Sequence, residues 1–383
     1  MIKSLSVKSF KSLEDVTIEF SSINAIVGQN NTGKTSILKA ISAVSKIPQS
    51  VKIEDAFGND WLSSAEIVSN GMPGLEVLFD ASFEHLNQKF EYSSRCIFPK
   101  ETEKTIDLIS ESLNGIQFIA NEPRFRKQSQ VYSTALDSKL GHFETCLQFI
   151  NGLKQVEVVQ LIPSNLSLVS NFGADFPAGK QNGLNLPGSL KDILLEDRTL
   201  FKQLEDLYVG HFPQIAGISL VDNKNSRCTE LYFKLKGGGR VPARSMSDGV
   251  LMVLGFLAML YGNSGRKIYL IEELETHFHF SILEKIIKIF REYLENHTDS
   301  QIIFTTHSPY LLNYLEPEEV IVVNMNEKYQ TEIRKFDKYS KVEKLRHSFG
   351  TGDIWALAGE AKIFDELTQN NDKLKGNLKE RND

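Results

Sequence analysis

The segment Gly28-Gln29-Asn30-Asn31-Thr32-Gly33-Lys34-Thr35-Ser36 constrains this chain more than any other. It has the form G-x-x-x-x-G-K-[ST], a glycine loop whose backbone N–H groups surround a polyphosphate. Before it, Ile23-Asn24-Ala25-Ile26-Val27 reads as an apolar strand; after it, Ser36 to Val44 carries apolar residues at helical spacing. Strand, loop and helix in that order aim a helix N-terminus at the phosphates. The chain is therefore expected to be α/β and to bind a nucleotide. Gly28 and Gly33 let backbone approach ligand closely. Asn30, Asn31, Thr32 and Ser36 belong to the same cradle, Lys34 is expected to reach the β- and γ-phosphates, and the Thr35 hydroxyl to ligate Mg²⁺.

Bulk properties narrow the class. A chain of 383 residues has room for two or three domains. Met1-Ile2-Lys3-Ser4-Leu5 lacks a signal-peptide core, and the longest apolar stretch, Val250 to Tyr261, is too short to span a bilayer. A cytoplasmic protein with no membrane partner is expected. Cys96, Cys146 and Cys228 are scattered, which argues against a disulfide framework or zinc ribbon. The net charge of −6 gives no bulk attraction to nucleic acid. Arg124-Phe125-Arg126-Lys127 is the densest basic cluster and reads as a solvated loop rather than a DNA contact.

Periodicity organises the rest. Ile2, Leu5 and Val7, then Val16, Ile18 and Phe20, alternate as two antiparallel strands around a turn near Ser12–Asp15. Leu75 to Phe83 reads as a further strand. Thr105–Leu113, Phe143–Leu153 and Leu190–Tyr208 have helical spacing, with a Gly/Asn/Pro-rich loop over Asn171–Gly188. Leu231–Leu235 and Arg240–Ala243 flank Gly237-Gly238-Gly239 as a hairpin. A buried helix, Gly249–Tyr261, precedes strand Lys267–Ile271, amphipathic helix Ser281–Asn296, and strands Gln301–Thr305 and Val320–Asn324. From this pattern the expected domains are residues 1–90, an N-terminal lobe with the glycine loop; 91–225, a mostly helical insertion; and 226–383, a C-terminal lobe.

A second set of nucleotide residues follows. Lys267 to Ile271 ends in Glu272 and Glu273, the form of a Walker B strand. The first carboxylate would help hold Mg²⁺ and the second polarise an attacking water. Ile302 to Thr306 delivers His307 at a strand's C-terminal end, where open α/β sheets bind ligands; the ordering suggests a γ-phosphate sensor. Ser247 and Gly249 open the buried helix, as a second anion-binding surface or an ordinary N-cap. His277 and His279 could share a strand face as metal ligands, but no further Cys/His cluster accompanies them.

The ordered set GQNNTGKTS, SMSDG, IYLIEELETHFH and IIFTTHSP resembles the ABC-type ATPase head. In particular it is similar to AAA-family stand-alone ATPases related to OLD (overcoming-lysogenization-defect) nucleases and to structural-maintenance and recombination ATPases. The opening IKSLSVKSFKSLEDVTIEF resembles that family's N-terminal strand pair. The implied fold is an ABC-type P-loop NTPase head, a mixed sheet with N-terminal antiparallel strands and a mostly helical insertion.

The resemblance also implies roles. Ser247 and Gly249 match the signature motif that contacts ATP bound by the opposite subunit, Glu273 the catalytic glutamate and His307 the switch histidine. Glu275 and His279 fall where the family writes E-x-x-L-H. Glu272 stands where aspartate is commoner, Leu274 replaces a proline, and Val250 a polar residue. The implied cofactors are ATP and Mg²⁺, the implied assembly a homodimer with ATP sandwiched between subunits, and the implied reaction ATP hydrolysis. OLD-type chains often carry a TOPRIM nuclease domain; about 60 residues without a D-x-D pair follow Asn324, so a separate effector, nuclease or toxin, is expected. By that analogy the role is prokaryotic defence. The alternatives are a DNA repair clamp, with DNA as partner, a transporter subunit, or a sensor that does not hydrolyse. Ser348 to Gly359 remains a distinctive segment, read equally as a docking surface or as core packing of Trp355.

Overall fold

The computed structural model describes residues 1–62, 76–98, 106–118, 127–153, 156–172, 183–262, 268–276, 278–359, 362–364 and 366. The chain forms two compact units: Met1–Glu157 with Lys267–Leu274 and Thr298–Asp383, and Val158–Arg266 with Glu275–His297. Among the described residues, no helix is long and apolar enough to cross a membrane.

The first unit contains an antiparallel sheet. Its strands are β1 (Ile2–Phe10), β2 (Leu13–Glu19), β4 (Glu76–His85), β5 (Gln88–Ile97), β6 (Asp107–Leu113) and β7 (Ile116–Phe118), in the order β2-β1-β4-β5-β6-β7. Alternation drives it: Ile2, Leu5, Val7 and Phe10 on β1, and Leu13, Val16 and Ile18 on β2, are buried. One expectation fails here. Thr105–Leu113 has helical spacing, yet Asp107–Leu113 is a strand between β5 and β7. A register shift at Arg95/Cys96 breaks the strict alternation, and the buried acid Glu111 occupies an inward position. Together they make a strand look like a helix.

The second sheet has six strands in the order β11-β10-β3-β9-β8 and, at the edge beside β8, Val156–Val159, with β3 (Ile23–Val27), β8 (Ile268–Ile271), β9 (Gln301–Thr306), β10 (Val320–Met325) and β11 (Thr331–Lys335). The pairs β8–β9, β9–β3 and β3–β10 are parallel and β10–β11 is antiparallel. Every residue of β3, β8 and β9 is buried, as expected of strands covered on both faces. Helix α1 (Lys34–Lys46) leaves the glycine loop. Gln301, fully buried, joins the two sheets: its Nε2 donates to Ile2 O (2.9 Å) and Ser21 O (2.7 Å), and its Oε1 accepts from Ile2 N (2.9 Å).

Glu111 anchors the short helix α2 (Gln130–Ala135) to the antiparallel sheet. Its Oε1 accepts from Tyr92 Oη (2.9 Å) and Ser129 Oγ (2.8 Å), and its Oε2 from the N–H groups of Gln130 (2.8 Å) and Val131 (3.1 Å). Those two N–H groups lie in the first turn of the helix, where the helix itself supplies no acceptor. Burial pushes the Glu111 carboxyl above its ordinary value, while the four donors pull it down. Glu111→Ala is expected to destabilise the protein by about 3 kcal/mol, because buried donors lose their acceptor. Glu111→Gln should cost about 1 kcal/mol or less, since its carbonyl can serve the N–H pair while its amide faces the hydroxyls. Urea unfolding of both variants measures the difference.

In the second unit, Leu186–Glu196 and Arg198–His211 are separate helices where the spacing suggests one helix over Leu190–Tyr208. Asp197 breaks the run: its extended backbone ends the first helix, and its carboxylate accepts from Thr199 N and Leu200 N to cap the second. Ile215–Asn223, Cys228–Leu235 and Arg240–Pro242 form an antiparallel sheet whose second hairpin turns at Gly238 and Gly239, both at positive φ. The helix Asp248–Tyr261 is buried from Gly249 to Leu260, and α3 (Phe280–Asn296) buries Leu283, Ile286, Ile287, Phe290 and Tyr293 along one face.

Candidate active site

Three neighbouring strands of the parallel sheet end at one edge. Thr306 on β9 pairs with Val27 on β3, and Phe304 on β9 with Ile271 on β8. The next residues along these strands are His307, Gly28 and Glu272. Adjacent strands lie about 4.8 Å apart, so the three segments leave the sheet within about 10 Å of one another. This is the carboxyl edge at which α/β sheets bind ligands.

The glycine loop is braced from behind. Gly33 has φ 101°, and a Cβ there would sit 2.1 Å from Thr331 Oγ1 and 2.7 Å from Ser12 Oγ. A Cβ on Gly28 would sit 2.1 Å from Val323 O. Both glycines are therefore demanded by the protein's own packing, quite apart from ligand approach. Thr331 Oγ1 donates to Thr32 O (2.9 Å) and bonds Ser12 Oγ (2.7 Å), while Thr331 N donates to Ser12 O (2.7 Å). Thr32 Oγ1 donates to Gln29 O (2.9 Å). Lys34 is buried, with Nζ donating to Gly28 O (2.8 Å) and Gln29 O (2.6 Å), so its ammonium is held under the loop it belongs to. Asn30 and Asn31 face solvent, Asn31 at φ 64°, and Ser36 Oγ accepts from Ser12 Oγ at 3.5 Å.

Thr35 Oγ1 donates to Glu272 Oε1, bringing the loop hydroxyl and the first Walker B carboxylate together. Glu273, exposed, adopts φ 47°, a left-handed conformation that costs a non-glycine residue about 1 kcal/mol. Thr305 holds it there: Glu273 N donates to Thr305 Oγ1 (2.8 Å), and Leu274 N to Thr305 O (3.0 Å). Leu274 itself is buried, filling the place of the proline written by the resembled family. His307 is exposed at the end of β9 and precedes Ser308, whose Oγ caps helix α4 (Pro309–Leu312) by accepting from Leu311 N (3.3 Å).

The remaining candidates are on other segments of the chain. Ser247 and Gly249 are in the second unit. Ser247 occupies the N-cap position of Asp248–Tyr261 by backbone angle but makes no side-chain cap bond; it is exposed, while Gly249 is buried. His279 is an N-cap: its Nδ1 bonds Ser281 N (3.4 Å) and Ser281 Oγ (3.0 Å), and its ring lies 4.1 Å from that of Phe280. The Glu275 carbonyl accepts from Phe278 N (3.0 Å). His277 and Arg124 to Arg126 lie outside the described residues, and Lys127 is exposed. Among the described residues, no group of three or more His, Cys, Asp or Glu gathers to hold a metal ion.

Thr305, Ser12 and Thr331 were not legible as site residues. Ser12 and Thr331 are separated by 319 positions and meet only through folding. Thr305 carries a local signal, since it stands two positions before His307 on the strand.

Comparison with known proteins agrees with this architecture. Residues 1–150 match the family described as "AAA ATPase domain", and residues 168–313 the family described as "AAA domain, putative AbiEii toxin, Type IV TA system". Both matches are to AAA-type ATPase families, on separate parts of the chain, and they support a nucleotide hydrolase. It is 25% identical over 357 residues to an ATP/GTP phosphatase of Helicobacter pylori, covering 82% of this chain and 88% of that protein. A stretch of 44 residues is 50% identical to an OLD nuclease of Thermus scotoductus, 12% of this chain and only 8% of that protein. Among solved structures, an SmcHead bound to the C-winged helix domain of ScpA matches with a TM-score of 0.56 at 17% identity, over 89% of this chain and 99% of that one. An Smc head domain with an extended coiled coil, bound to the C-terminal domain of ScpA derived from Pyrococcus furiosus, matches at 0.54 and 14% identity, over 90% and 99%. The fold is that of an SMC head domain.

Proposed function

We propose that this chain is an Mg²⁺-dependent ATPase that dimerises around ATP and gates a separate effector, a nuclease or toxin, in prokaryotic defence against phage or foreign DNA. The observation that carries the reading is the common edge from which the glycine loop, Glu272–Glu273 and His307 leave adjacent strands. The defence role draws support from the short OLD nuclease match and from the toxin–antitoxin description of the second matched family.

In this reading the loop N–H groups and the Lys34 ammonium bind the β- and γ-phosphates. Glu273 takes the proton of a water attacking the γ-phosphorus in line, as the bond to the β,γ-bridging oxygen breaks. His307 donates a hydrogen bond to a γ-phosphate oxygen as charge moves outward. The Thr35 hydroxyl and Glu272 carboxylate, already adjacent, are the hard oxygen donors that suit Mg²⁺ and would hold it beside the phosphates. The ion supplies neutralisation of phosphate charge.

Ser247 and the start of helix Asp248–Tyr261 contact the nucleotide of the opposite subunit. Supporting this, the Ser247 hydroxyl is exposed and not used as a cap, at the N-terminus of a long helix whose N–H groups favour an anion. Ser247→Arg is expected to leave ATP binding to each subunit intact and to lower hydrolysis by about a hundredfold or more, as loss of transition-state contacts does. Phosphate release at the wild-type rate from this variant would contradict a composite site.

A further inference from the structure

We infer that the Gly350–Asp353 turn positions His307. The inference rests on the role proposed for His307 above and concerns the Ser348–Gly359 segment, which the proposed function does not otherwise use. Helix α5 (Thr351–Ala358) docks on α4, the turn that begins two residues beyond His307. The fit is close: a Cβ on Gly352 would lie 1.8 Å from the backbone oxygen of Pro309, and one on Gly350 2.4 Å from the side-chain Oδ1 of Asn313. No side chain fits at Gly352 unless α4 or α5 moves.

Polar contacts then lock the pair. Asp353 N donates to Asn313 Oδ1 (2.9 Å) and Asn313 Nδ2 to Asp353 Oδ1 (3.1 Å). Asp353 Oδ2 accepts from Gly350 N (3.2 Å), and Thr351 Oγ1 donates to Leu315 O (2.6 Å). On its other side α5 is set against the end of β11: Trp355, 7% exposed, meets fully buried Phe336 at 5.8 Å and 64°. Phe336 follows directly on β11, whose first residue, Thr331, braces the glycine loop. One rigid strand therefore references both the phosphate loop and, through α5, the loop carrying His307. The turn that carries His307 is continuous with α4: the next residue, Ser308, donates its N–H to Thr306 Oγ1 (3.0 Å) and caps α4 through its Oγ, so what holds α4 also holds this turn.

A residue that acts by placing His307 should affect turnover rather than ground-state nucleotide binding, since a shift of about 1 Å at a reacting group can cost up to about a hundredfold in rate. Gly352→Ala is the direct test. Asn313→Ala, which removes the lock without adding bulk, carries the test if Gly352→Ala does not fold. Both are measured for kcat and KM of ATP hydrolysis and for binding of a non-hydrolysable ATP analogue, beside His307→Ala. The expected result is a kcat reduced about tenfold or more with KM and analogue affinity within about twofold of wild type. Wild-type kcat in both variants while His307→Ala is impaired overturns the inference and leaves the reading of His307 standing. Wild-type kcat in His307→Ala overturns that reading and the inference with it. Analogue affinity falling in step with kcat also overturns it, because that marks a merely structural role.

Discussion

Glu273→Gln is expected to lower steady-state phosphate release by about a hundredfold to ten-thousandfold while ATP still binds. The size follows from how the side chain is held. Its backbone sits at φ 47°, a conformation retained only because the Thr305 hydroxyl and carbonyl take the N–H groups of Glu273 and Leu274. The next residue, Leu274, is buried. Glutamine has the same shape and keeps that geometry, yet it cannot accept a proton from water. Loss of binding would mean that the residue supports the fold or the ligand; an unchanged rate would remove it from the mechanism. A rate assay and a binding isotherm on the same sample separate these outcomes.

Lys34→Ala should abolish useful ATP affinity, with a loss of about 3 kcal/mol or more, over a hundredfold in Kd, as expected when a buried charged partner of an anion is truncated. Lys34 is buried and its ammonium lies against Gly28 O and Gln29 O, so it is held at the loop before any phosphate is considered. Lys34→Met retains the packing of the stem and removes only the charge. It should bind as poorly as the alanine variant. Calorimetry with ATP measures both, and undiminished binding in either would overturn the assignment of the loop as the phosphate site.

How legible all this is in the sequence depends on range. The glycine loop, the strand ending in Glu272–Glu273 and the strand ending in Thr306–His307 are local patterns, and each forms where its residues indicate. Their convergence depends on strand order, which the residues of any one segment do not encode. The bracing of Gly33 by Ser12 and Thr331, and of Glu273 by Thr305, arises from pairing between distant segments. Helical spacing over Thr105–Leu113 misled because a register shift and the inward carboxylate of Glu111 disguise the alternation of β6. The break at Asp197 is a polar cap within an otherwise continuous apolar pattern. For Ser348–Gly359 the packing of Trp355 was one of the readings open from sequence; the backbone contact of Gly352 with Pro309 was invisible to it.

The glycines show the same division. Sequence assigns Gly28 and Gly33 to ligand approach, whereas the carbonyl of Val323 and the hydroxyl of Thr331 would already exclude a side chain at these positions. The loop is thus preformed by its neighbours, which reduces the ordering cost of binding.

The central claim is that this head completes its site only with a second copy of itself. Sedimentation of Glu273→Gln, which should bind ATP without consuming it, tests that most directly. With ATP and Mg²⁺ a dimer is expected, reverting to monomer when ATP is withheld or when Ser247→Arg is added to the same chain. A Glu273→Gln protein that binds ATP yet sediments only as a monomer would contradict it.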